Sequence, residues 1–69
     1  MNDSSWISVF NTAVHYQAEI VKQMLESNGI EAVVVNKQDS SYPMLGEAEV
    51  FVDEEFVSLA LKLIEDIEN

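Results

Sequence analysis

Apolar positions along this chain change their spacing repeatedly, and each change marks a new element. Trp6-Ile7-Ser8-Val9-Phe10 is a short β-branched and aromatic run that stops at Asn11-Thr12, which predicts a first strand. From Ala13 the period lengthens. Val14, Ala18, Val21 and Leu25 recur at i, i+4, i+7 and i+11, while Glu19, Lys22, Gln23 and Glu26 fall off that stripe. The spacing predicts an amphipathic helix of about four turns, capped by Asn11 or Thr12. Ser27-Asn28-Gly29-Ile30 should end it, because Gly29 can turn left-handed without a Cβ clash and Ile30 can pack back on the last turn.

Ala32-Val33-Val34-Val35 reads as a second strand and Ala48-Glu49-Val50-Phe51-Val52-Asp53 as a third. A polar connection over residues 36–46 separates them. Asp53 is placed to cap a second helix, and Glu54 and Glu55 in its first turn suit the positive end of the helix dipole. Val57, Ala60, Leu61 and Ile64 form the expected buried stripe of that helix, widened by Phe56, Leu63 and Ile67. No further strand is expected after Asn69.

The order β-α-β-β-α predicts a single α+β domain over residues 1–69. A right-handed crossover between parallel strands one and two places strand three between them. The expected architecture is a truncated ferredoxin-like fold: a three-stranded sheet in the order 1-3-2, with both helices on one face. Strand one then lacks the neighbour that a fourth strand would supply, and Trp6–Phe10 contains no Pro or Lys to protect the edge. Alternation turns Ile7, Val9, Ala32, Val34, Val50 and Val52 toward the helices. It turns Trp6, Phe10, Val33, Val35 and Phe51 to the opposite side, an apolar patch of the kind that marks an interface.

Composition narrows the functional classes. With 48% apolar residues in 69, the chain can build a packed core, but a domain of this size gains little stability to spare. It has no cysteine, and its first residues, Met1-Asn2-Asp3-Ser4-Ser5, carry neither the basic region nor the apolar run of a secretory leader. A cytoplasmic protein is expected. Three Lys against 13 acids give a net charge of −10, which opposes phosphate backbones and anionic membranes. Neither nucleic acid nor membrane is an expected partner. Glu47, Glu49, Asp53, Glu54, Glu55, Glu65, Asp66 and Glu68 crowd the C-terminal third, so any steering of a basic partner would start there.

No catalytic, cofactor-binding or metal-binding set is legible. His15 is the lone histidine, without a second histidine or a cysteine to complete a metal site or a nucleophilic pair. Asp53-Glu54-Glu55 and Glu65-Asp66-Glu68 lack the glycine-turned loop of a calcium site, and helix capping accounts for them. Gly29 and Gly46 stand alone, so no phosphate-cradling loop is present. The 36–46 connection is more informative, because two to five residues would suffice to join the strands. It carries Tyr42, Pro43, Met44 and Leu45 in a polar setting, which reads either as a binding loop or as a tip folded onto its own sheet. Tyr42-Pro43 is also a sequence in which a cis bond is least improbable.

The run from Gln17 to Ala32, with Leu25-Glu26-Ser27-Asn28-Gly29-Ile30 at its heart, resembles a family of small bacterial domains of unknown function described as prokaryotic signal-transducing proteins. Tyr42-Pro43 before Gly46, and Val50-Phe51-Val52-Asp53-Glu54-Glu55 before the last helix, look like its later segments. Gln17 stands where the family usually has an acid. The resemblance implies a PII-like fold group, in which the loop between strands two and three contacts partners. The expected function is therefore a non-enzymatic regulatory or adaptor module. It would dock a protein or a second copy of itself, as a homodimer, through the strand-one edge, the outer sheet face and the 36–46 loop. The alternative is a small-metabolite sensor that uses the loop as a lid over an unidentified ligand.

Overall fold

The computed structural model of the protein describes residues 5–37 and 47–68. Strand β1 runs Trp6–Thr12, helix α1 His15–Ser27, β2 Ala32–Lys37 and β3 Glu47–Asp53. A 3₁₀ turn, Glu54–Phe56, leads into α2, Val57–Glu68. The sheet has the order β1-β3-β2, with β3 antiparallel to both neighbours, so the α+β fold and its β-α-β-β-α order are those the sequence predicts.

Strand β3 holds the centre because its alternate residues are the smallest and driest set in the chain: Ala48, Val50 and Val52 are fully buried. Ala18, Val21 and Leu25 of α1 and Ala60 and Ile64 of α2 close over them, joined by Ile30 and Ala32. Alanine at positions 18, 48 and 60 lets helix and sheet backbones approach closely, leaving Leu25, Ile30, Val50 and Val52 to fill the volume between.

Helix α1 begins at His15 rather than Ala13, and Val14 occupies the cap position without a side-chain cap. Thr12 substitutes from inside the strand. Its hydroxyl accepts from the Val14 N–H at 3.0 Å and donates to Gln17 Oε1 at 2.9 Å, fixing the strand-to-helix turn. Val14 is consequently exposed, not part of the buried stripe. At the other end Ile30 N–H donates to Leu25 O and Gly29 N–H to Glu26 O, both at 3.0 Å, with Gly29 at φ +84°. This is a Schellman stop. A Cβ built on Gly29 meets no atom within 4 Å, so Gly29→Ala suffers only the backbone penalty of the left-handed region. A loss of ~1 kcal/mol, with an unchanged denaturant slope, is expected in urea unfolding.

Asp53 accepts from Glu55 N–H at 3.1 Å and so caps the 3₁₀ turn that introduces α2. Glu54 N–H donates to Ser5 O at 2.9 Å, tying that turn to the start of β1. Ala60 and Ile64 of α2 are buried, and Phe56 of the 3₁₀ turn and Val57 and Leu63 of α2 are half-buried. Leu61 and Ile67, expected on the buried stripe, are instead exposed. Three strands are too narrow a floor for so wide an apolar arc.

A bulge interrupts β1. Ser8 pairs with Phe51 and Phe10 with Val50, so Val9 is an extra residue opposite no partner. Beyond it the alternation of β1 is inverted. Phe10, expected on the outer face, shares the row of Val50 and packs with Val9 against the core beneath the helices. The expectation of an unprotected edge also changes, because a bulge is itself one of the devices that discourage strand addition. Among the described residues no strand pairs with the far side of β1.

Candidate functional site

The outer face of the sheet can be laid out from the pairing register. Trp6 lies opposite Asp53; Ser8, Phe51 and Val33 form the next row; Asn11, Glu49 and Val35 form the third. An apolar diagonal therefore runs from Trp6 through Phe51 to Val35, with Val33 beside it. These four side chains line one shallow depression of about 390 Å³. Trp6 is 41% exposed and Val33 and Val35 each 40%, with Phe51 half-buried between them. Four of the five residues expected on this face are brought together there, and Phe10 is not.

Ser8 and Glu49 fall on the same alternation as Trp6 and Phe51, although neither belongs to the apolar patch expected there. Ser8 Oγ donates to Glu49 Oε2 at 2.9 Å, making a polar corner beside the apolar diagonal. Glu49 is half-buried on the central strand. Asp53 lies at the opposite end of the face, with one carboxylate oxygen engaged by the Glu55 amide. Among the side chains described on this face, Glu49 and Asp53 are the charged ones, and both are acids.

The helix side carries two other hollows. One, of about 850 Å³, opens between β1 and α2, lined by Val9, Phe10, Leu61 and Ile64 with Ser58 and Lys62. It lies at the edge of β1, where the sheet stops and α2 continues. The other, about 180 Å³, opens between the helices above Phe10 and Val21, with Ile20 and Ile67 at its mouth. Tyr16 and Ile20 are exposed on α1. Their i, i+4 spacing, off the main stripe, was the signal available in the sequence.

His15 sits exposed at the start of α1. Among the described residues no group of three or more His, Cys, Asp or Glu is placed to hold a metal ion, and no helix is long and apolar enough to cross a membrane. The loop residues Tyr42, Pro43, Met44 and Leu45, and with them the Tyr42-Pro43 bond, lie outside the described residues.

No curated protein and no solved structure matches the chain. A family model does, over residues 6–68, from the first residue of β1 to the last of α2. The chain belongs to the family described as "Putative prokaryotic signal transducing protein".

Proposed function

We propose that the protein is a non-enzymatic signalling module that acts by binding a protein partner through the outer face of its sheet. The observation that supports this most is the Trp6, Val33, Val35 and Phe51 tetrad. An antiparallel sheet with one face on a core normally turns polar side chains outward on the other. Strand propensity alone would account for scattered valines, but not for a tryptophan and a phenylalanine joined to them in one depression. Indole, phenyl and isopropyl groups neither transfer protons nor attack as nucleophiles, so a face built of them suits recognition.

Self-association through the β1 edge is disfavoured by the bulge at Val9, and stacking two outer faces would bring Glu49 and Asp53 of both copies together. A partner of different chemistry is the better fit. The test is chemical crosslinking in cells of the native host, comparing the wild-type chain with Val33→Glu and Ile20→Glu. A crosslinked species lost with Val33→Glu and retained with Ile20→Glu is expected. Loss only with Ile20→Glu would move the interface to the helices. Because the acids are exposed or half-buried, association should also slow as salt rises, and a salt-independent on-rate would remove charge steering from the picture.

A further inference from the structure

Resting on that reading of the outer face, we infer that what it receives is a single amphipathic α-helix with Lys or Arg flanking its apolar stripe, presented by the partner protein.

Dimensions favour a helix. The axes of β1 and β2, one on each side of β3, are ~10 Å apart, which is the diameter of one helix with its side chains. The diagonal from Trp6 to Val35 crosses two strand spacings and two rows, ~16 Å in all, the length of about three helical turns. The inner face is already covered by helices, and a third helix on the outer face would complete a three-layer arrangement of ordinary kind.

Charge favours a basic flank. A helix lying along the diagonal has the Ser8–Glu49 corner on one side and Asp53 near its end. The net charge of −10 extends the same preference beyond the contact. A second copy would fill the same area but would add its own Glu49 and Asp53 to those already there.

The test uses the full chain and three 14-residue probe peptides. One carries leucines at helical spacing with lysines elsewhere; the second replaces each lysine by glutamate; the third keeps the lysines and scrambles the leucines. Trp6, the single tryptophan, reports binding by fluorescence, and backbone amide NMR shifts locate it. The basic amphipathic peptide is expected to bind with blue-shifted Trp6 emission and shifts at Val33, Val35 and Phe51. The other two peptides should bind at least tenfold more weakly. Val33→Glu, checked for native circular dichroism, should also weaken binding at least tenfold. That variant adds negative charge, so non-specific attraction of a cationic peptide would strengthen instead.

Equal binding of the acidic peptide overturns the basic flank, and shifts centred on Tyr16, Ile20 and Ile67 overturn the site. Absence of peptide binding up to about 1 mM, together with a self-associated species that Val33→Glu dissociates in light scattering, overturns the helix partner in favour of a second copy and leaves the docking face standing. Absence of both peptide binding and any association sensitive to Val33→Glu overturns the docking face as well.

Discussion

Phe10→Asp is expected to leave the protein largely unfolded, whereas Val33→Asp, a comparable insult in the same sheet, leaves it folded. Both residues were expected on the wet side of the sheet by alternation, and the bulge at Val9 separates their fates. Phe10 lies under both helices, lining the cleft with Val21 and the hollow with Ile64. Truncating a fully buried phenylalanine costs ~3–5 kcal/mol, so removing this half-buried ring costs ~2. A carboxylate in its place adds a desolvation penalty of a few kcal/mol more. At ~0.05–0.15 kcal/mol per residue, a chain this small has about 3–10 kcal/mol in total, which the substitution would largely consume. Val33 is already 40% exposed, and an acid there can reach water. Circular dichroism and urea unfolding of the two variants decide the matter. Native-like stability of Phe10→Asp would mean that β1 has no parity change.

Leu25→Ala should be nearly as damaging, at ~3 kcal/mol. Leu25 is completely buried, and its carbonyl is the acceptor for both Asn28 N–H and Ile30 N–H in the stop of α1. Truncation leaves a cavity beneath that turn and removes the contact against which Ile30 seats. Tyr16→Ala, on the exposed side of the same helix, should move stability by no more than ~0.5 kcal/mol. Urea midpoints at constant slope measure the contrast. If the two variants differ by less than ~1 kcal/mol, α1 does not pack through its Ala18–Val21–Leu25 stripe.

Periodicity located both helices and all three strands because each apolar stripe here is paired with an unambiguous stop: Gly29 after α1, Asp53 before the turn into α2. It failed where the outcome depended on a partner rather than on the element itself. Counting by twos along β1 assumes one residue per rung, and no residue type in Ser8-Val9-Phe10 announces that β3 supplies only two rungs for the three. Leu61 satisfies the helical period, yet its burial required more sheet beneath α2 than three strands supply. Of the outer face, Trp6, Val33, Val35 and Phe51 were legible because they lie on strand segments whose register is regular. Ser8 and Glu49 follow the same alternation, but being polar they carry no hydrophobic signal that would tie them to an interface.

The position of β3 at the centre of the sheet has a consequence in time. Lys37 and Glu47, the nearest paired residues of β2 and β3, are ten positions apart, whereas Thr12 and Ala48, the nearest of β1 and β3, are 36 apart. Closing the longer segment costs ~1 kcal/mol more chain entropy, so β2 and β3 are expected to zip while β1 is still searching. The strand that carries Trp6 then docks last in folding and leaves first in unfolding. Indole fluorescence should accordingly trail the helical signal as the chain folds, and the rate at which the native state opens is set at its N-terminal strand.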